Sequence, residues 1–333
     1  MAFWYDENVK SNEVISTRIR LARNLKGYKF RDKLTNDEAK EILQKVENAL
    51  GEMNYDFTKY DMLTISQNEK NRLVEKRYIS PDFLKGDMPR CVYISEDSHI
   101  SIMVNEEDHV RIQCIFAGNQ TEKCYILISK IDTYLCERLD FAIHEKYGYL
   151  TSCLTNVGTG MRLSYMVHLA SIVATKSSQS IFDNLTKLGV SVRGVYGEGT
   201  KGEGNVFQIS NSQTLGKSED EIIKNMSEIL KSLMKKEDEI KEVLKEKNEL
   251  LLKDKVMRSY AILKNCVMIS GDEMSKRISD LRYAKSLGFI DDISDYKLTK
   301  IMIEASKAHL ILDNEDNPEI RDVKRAEMIK SIL

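Results

Sequence analysis

Apolar and polar positions follow two rhythms along this chain, and the change comes near Gly216. Before it, runs rich in branched and aromatic residues occupy positions 91–94, 100–104, 110–116 and 190–192, with a shorter run at 206–209. Such runs predict strands. Positions 125–139 and 161–174 space their apolar residues as helices do. Strand segments that read as antiparallel, with helices on one side, predict an α+β domain over residues 1–216.

From Lys217 onward the helical period takes over. Ser218 with Glu221 has the form of a capping box, and it opens a long charged helix through residues 235–255. Ser270 with Glu273 opens a second helix that ends near Gly288. A third is predicted over 296–311, and Asn317-Pro318 begins the last, with asparagine as cap and proline in the first turn. Residues 217–333 therefore read as a separate all-α domain.

Composition narrows the function classes. The chain has 333 residues, 42% hydrophobic and 31% charged, as soluble globular proteins do. A net charge of −2 lacks the basic face that nucleic acid requires. No apolar run approaches the roughly 18 residues of a membrane span, and the N-terminus has no signal-peptide pattern. Six cysteines stand without Cys-x-x-Cys pairs, which indicates neither a zinc site nor a disulfide framework. The expectation is a reduced, cytoplasmic protein with no metal site of its own.

Four segments could carry chemistry. Ile100 to Arg111 delivers Glu106, Glu107, Asp108, His109 and Arg111 at the end of a strand-like run, which is either a solvated turn or a charged site. Arg18 and Arg20, two apart in an extended segment, share one face and suit phosphate oxygens, although two solvated arginines would look the same. Thr151-Ser-Cys-Leu-Thr-Asn-Val-Gly-Thr-Gly-Met-Arg162 is a small-residue loop before the predicted 161–174 helix, which puts Arg162 in a first helical turn. Its Cys153 is either an inert thiol or one tuned by cations. Residues 192–204 contain five glycines around Arg193 and Glu198, a composition shared by plain connections and by lids. Five arginines (18, 20, 111, 162 and 193) with two acid sites form the inventory that phosphoryl transfer needs. Walker A and protein-kinase motifs are absent.

In this order, Ser-Thr-Arg-Ile-Arg, Asn-Glu-Glu-Asp-His, Cys-x-Thr-Asn-x-Gly-Thr and Arg-Gly-x-x-Gly-Glu resemble the phosphagen (guanidino) kinases. Gly148-Tyr-Leu-Thr-Ser-Cys153, Tyr196-Gly-Glu-Gly199, Gln208-Ile-Ser-Asn211 and Thr214-Leu-Gly216 resemble the bacterial branch that phosphorylates arginine on proteins. The resemblance implies an antiparallel-sheet catalytic domain with helices, followed by a helical domain. It implies ATP, held by Ser16, Thr17, Arg18, Ile19 and Arg20, by Arg77 and Arg111, by Arg162, Leu163, Ser164, Tyr165 and Met166, and by Arg193, Gly194, Val195, Tyr196, Gly197 and Glu198. Mg2+ would arrive on the nucleotide. Glu107 and Glu198 would clamp the substrate guanidinium, and Cys153 matches the family's active-site cysteine.

The same resemblance makes Arg321, Asp322, Arg325 and Ala326 an allosteric phosphoarginine receptor on a homodimerising domain. Its implied partners are proteins with exposed arginine, an activator protein and Clp-type protease machinery, in stress response and regulated proteolysis. Relatives acting on small guanidino compounds carry a helical domain ahead of the Ser-Thr-Arg motif. Here that motif starts at Ser16, so a site open to a protein substrate is expected. Two positions depart from the pattern: Leu154 stands where proline usually follows the cysteine, and Arg77 where the branch tends to have histidine. A kinase of small guanidino compounds and a non-catalytic phosphoarginine-binding adaptor are the alternatives.

Overall fold

The computed structural model describes residues 3–6, 9, 13–175, 178–194, 202–311 and 317–333. In chain order the elements are β1 (Val14–Arg23), α1 (Asn36–Gly51), β2 (Phe57–Asp61), α2 (Gln67–Glu75), β3 (Cys91–Ser95), β4 (Ile100–Val104), β5 (Val110–Ala117) and α3 (Thr121–Cys136). Then follow β6 (Ile143–His144), β7 (Gly148–Tyr149), β8 (Met161–His168), α4 (Ala170–Ala174), α5 (Ser178–Lys187), β9 (Val190–Gly194) and β10 (Val206–Asn211). The rest is helical: α6 (Glu219–Asn265), α7 (Gly271–Ser286), α8 (Asp295–Glu304), α9 (Lys307–Leu310) and α10 (Pro318–Ile332).

Among the described residues, eight strands form one antiparallel sheet in the order β2-β3-β4-β5-β1-β8-β10-β9. The fold is α+β, as the sequence predicts. Side chains alternate across a sheet, so each strand serves two layers. Ile19, Leu21, Leu163 and Tyr165 pack with Ile42, Val46 and Ile128 in the larger core. The opposite face carries Ile15, Met103, Ile115 and Met166, which pack with Trp4, Tyr78 and Phe83. A strand buried on both faces loses the clean alternation that marks a half-exposed one.

That loss explains one correction. Residues 161–174 are strand β8 followed by the short helix α4, and Arg162 stands on a strand rather than in a first helical turn. An apolar run flanked by glycine fits either period when both faces are covered. Residues 296–311 are likewise two helices, α8 and α9. Ser306 stands at the break with its hydroxyl donating back to Met302 O at 2.9 Å, and Arg325 Nε donates to the Ala305 carbonyl there, 2.9 Å away.

Helix α6 opens on the capping box expected at Ser218 and Glu221 and kinks at Asn248, whose φ is −141°. Ile222, Met226, Ile229, Leu230 and Leu233 belong to the sheet's core, whereas Val256 and Leu263 belong to the helical core. Polar contacts tie the helices back to the sheet. Lys241 Nζ donates to Glu13 at 2.9 Å, and the Glu237 carboxylate accepts the amides of Ser171 and Ile172 at 2.6 and 2.8 Å. From α2, Arg72 and Glu75 grip Ala308 and His309 of α9.

Candidate functional site

Strand register places the cations. Arg20 of β1 lies directly opposite Gln113 of β5 and Arg162 of β8, while Arg18 lies opposite Ile115 and Ser164. Arg111 pairs across from Ala22 and Met103, and Arg193 across from Gln208. All these positions share one face of the sheet. Like charges set opposite one another destabilise a ladder, so this row is arranged against the stability of the sheet.

Arg18, Arg20, Arg77, Arg111, Arg162 and Arg193 all line one cleft of about 1210 Å³, together with Glu106, Glu107, Cys153 and Gly194. Alternate members of the expected ATP stretches turn away: Ile19, Leu163 and Tyr165 are core residues, and Thr17 Oγ1 donates to Gly118 O. Ser16 is buried and Met166 packs in the second core. Ser164 reaches Arg18 from the cleft side. Val195, Tyr196, Gly197 and Glu198 lie outside the described residues.

Crowding changes these arginines. Burial and the guanidinium groups of Arg77, Arg111 and Arg162 pull Arg18 down to about 9, still charged at neutral pH. Burial, with Arg18, Arg111 and Arg162, pulls Arg20 down as well, and Nε of Arg20 is buried without a hydrogen-bond partner. Burial and Arg193 act on Arg162 in the same direction. A row of cations, half-buried except for the exposed Arg193, that faces one cleft is a receptor for a multiply charged anion.

The turn between β4 and β5 sends its three acids three ways. Asn105 takes a left-handed φ of 62°, which asparagine tolerates, and its Nδ2 donates to Ala39 O and Pro89 O. Glu106 turns inward, accepting from Ser80 Oγ and Arg111 Nη1, both at 2.5 Å. Burial pushes the Glu106 carboxyl up, but Arg111, Ser80 and the Glu107 amide outweigh it and hold the group below the ordinary carboxylate range. Asp108 is buried and accepts from Asn24 Nδ2 at 2.6 Å and from the Ser152 amide at 2.7 Å, which fastens the Cys153 loop to this turn. His109 takes the Leu25 amide on Nδ1 at 3.1 Å, so its Nε2 carries the proton donated to Lys29 O.

Glu107 alone of the three is exposed to the cleft. Burial, then Asp108 and Glu106, raise its pKa against Arg111 and the Cys153 thiol, which hydrogen-bonds it. Cys153 Sγ also lies 3.0 Å from Thr155 Oγ1. Behind this loop, Arg23 is fully buried, grips Asp132 at 2.9 and 2.7 Å, donates to Thr159 O and stacks on Tyr149. Gly158 has φ +112°, and a Cβ there would meet Thr214 O at 2.6 Å, so only glycine fits. Leu154 is 85% exposed.

Helices α7 to α10 supply the far wall of the cleft through Met274, Ser275, Ile278, Arg282, Lys307 and Arg325. Arg325 is buried and donates to Ala305 O, Ile269 O and Asp322. Arg321 and Asp322 are partly exposed on the first turns of α10, and Ala326 is buried. Sequence reasoning named Asp108 within the acid turn and Gln208 and Ser210 within a motif but gave none of them a role, and it did not single out Arg23. Gln208 and Ser210 alternate on β10 as polar residues in an apolar strand, a signal that also fits a solvated face.

Residues 39–240 match the family model for the ATP:guanido phosphotransferase C-terminal catalytic domain. The chain belongs to that family. Residues 249–333 match the model described as protein-arginine kinase McsB C-terminal domain. The protein-arginine kinase of Clostridium acetobutylicum is 38% identical over 339 residues, 100% of both chains. That of Bacillus subtilis is 39% identical over 330 residues, covering 97% of this chain and 91% of the relative. That of Halalkalibacterium halodurans is 40% identical over 328 residues, covering 97% and 92%. Among solved structures, the duplicated taurocyamine kinase from Schistosoma mansoni with transition state analog components matches with TM-score 0.63 and 25% identity over 72% of this chain and 34% of that one. Lombricine kinase shares the fold with TM-score 0.61 at 24% identity, over 68% of this chain and 66% of that one. The chain is a protein-arginine kinase of the ATP:guanido phosphotransferase family.

Proposed function

We propose that this kinase uses Arg18, Arg20, Arg111, Arg162 and Arg193 to hold the phosphates of MgATP, and Glu107 with Glu198 to hold a protein arginine. The observation that carries the reading is the row of arginines on β1, β5, β8 and β9 facing one cleft with Glu107 at its edge. A guanidinium is a poor nucleophile because it stays protonated. A carboxylate can neutralise it, aim one nitrogen at the γ-phosphorus and take the proton as the N–P bond forms and the bond to the ADP oxygen breaks. The raised pKa of Glu107 makes it the better proton acceptor, whereas Glu106 is already engaged by Arg111. Magnesium would enter as part of MgATP.

We further propose that the helical unit begins beyond the Asn248 kink, where side chains leave the sheet's core for the helical one. Its exposed Leu250, Leu251 and Val267 suit a homodimer contact. Arg321, Asp322, Arg325 and Ala326 form its phosphoarginine receptor, from which an activator and Clp-type protease partners would follow. Among the described residues no helix is long and apolar enough to cross a membrane.

Incubation with MgATP and an arginine-rich protein, followed by mass spectrometry at neutral pH, is expected to map phosphoarginine. Glu107→Gln should lose about 10²–10⁴ in rate while still binding ATP. Equal phosphate transfer by the wild type and this variant would refute the reading. Faster turnover of free arginine or creatine than of protein would move the substrate to small guanidino compounds.

A further inference from the structure

Two arginines on the adjacent strands β1 and β8 are aimed by neutral groups. Arg18 Nη2 donates to Gln208 Oε1, and Arg18 Nε lies 3.5 Å from Ser164 Oγ. Arg162 donates to Ser210 Oγ through Nε at 3.2 Å and Nη2 at 2.9 Å. Gln208 and Ser210 are two apart on β10, so they stand on the same face, with Ser210 directly opposite Ser164. Arg111 is treated differently, since it forms an ion pair with Glu106 at 2.5 Å.

The difference is one of charge. An amide or hydroxyl oxygen fixes the direction of a guanidinium and cancels none of its charge, whereas a carboxylate does both. Among the described residues no carboxylate acts on Arg18, whose charged neighbours are Arg77, Arg111 and Arg162. Glu107 is the acid that acts on Arg162, and it stands at the substrate edge of the cleft.

We propose that Gln208 and Ser210 are positioning residues for the polyphosphate. They orient Arg18 and Arg162 without adding a negative charge to either before ATP arrives. This rests on the ATP-binding reading above. It follows that a carboxylate at position 208, though a stronger acceptor of nearly the same shape, would neutralise Arg18 from within and compete with the nucleotide.

Titration of the full chain with ATP, ADP, AMP and adenosine tests this. Gln208→Glu should weaken ATP roughly ten- to a hundredfold, as loss of one charged hydrogen-bond partner does. The loss should shrink from ATP to AMP and vanish for adenosine, and the variant should melt no earlier than the wild type. Ser210→Ala should weaken ATP several-fold, with Ser210→Thr restoring it. A purely packing role predicts the reverse, namely that Gln208→Glu binds ATP normally or loses adenosine and ATP alike. Either result overturns the proposal. If Gln208→Glu melts early, the Ser210→Ala and Ser210→Thr pair decides. A wild type that binds no ATP would instead refute the ATP reading itself.

Discussion

Lowering the pH from 7 to 5 should destabilise this protein through His168, and removing that one imidazole should take away most of a defined increment. His168 ends β8, is 1% exposed, and lies between the sheet and α7. His168 Nε2 and Ser279 Oγ share a hydrogen bond of 2.8 Å, and Asn205 Nδ2 donates to the same Ser279 Oγ at 3.0 Å. Burial, followed by the positive charge of Arg282, pushes its pKa down from 6.5 to about 3. Because the folded value lies below the unfolded one, the contribution is complete above pH 6.5 and falls as acid protonates the unfolded chain.

Linkage between those values gives about 2 kcal/mol lost from pH 7 to pH 5. The figure hardly changes while the folded value stays a unit or more below the lower pH. Urea unfolding of the wild type and His168→Gln at both pH values measures it, since glutamine keeps a hydrogen-bonding partner for Ser279. The wild type should lose about 2 kcal/mol more than the variant over this interval. Equal pH dependence in the two proteins would refute the account of a buried neutral imidazole.

Two further outcomes follow from the acid turn and the cysteine loop. Asp108→Asn keeps an acceptor for the Ser152 amide but removes a charge that raises the Glu107 pKa, so the acid limb of the kcat/KM profile should move to lower pH. Gly158→Ala must strain a φ of +112° and press a Cβ against Thr214 O, so denaturant unfolding should show a loss of about 1–3 kcal/mol.

The sequence carries the local elements of the site well. The pair Arg18 and Arg20 needs only strand alternation to share a face, and the capping box at Ser218 and the serine cap at Ser270 mark helix starts that the structure places at Glu219 and Gly271. Register is not local. Nothing within Met161–His168 states that Arg162 will face Arg20, because that pairing depends on contacts far along the chain. Burial on both faces also hid the strand itself. Gln208 and Ser210 received no role for a related reason: a polar residue in a strand acquires meaning only when its neighbour across the sheet is known.

The cations and the acid occupy supports of different stiffness. Arg18, Arg20 and Arg162 rise from β1 and β8, which have partners on both sides, whereas Glu107 stands on a turn and Cys153 on a loop fastened to it by Asp108. Adjustment to an incoming chain therefore falls to the turn and the loop, while the anion cradle keeps its dimensions. Selection could retune the acceptor for a new polypeptide without disturbing the grip on the phosphoryl donor.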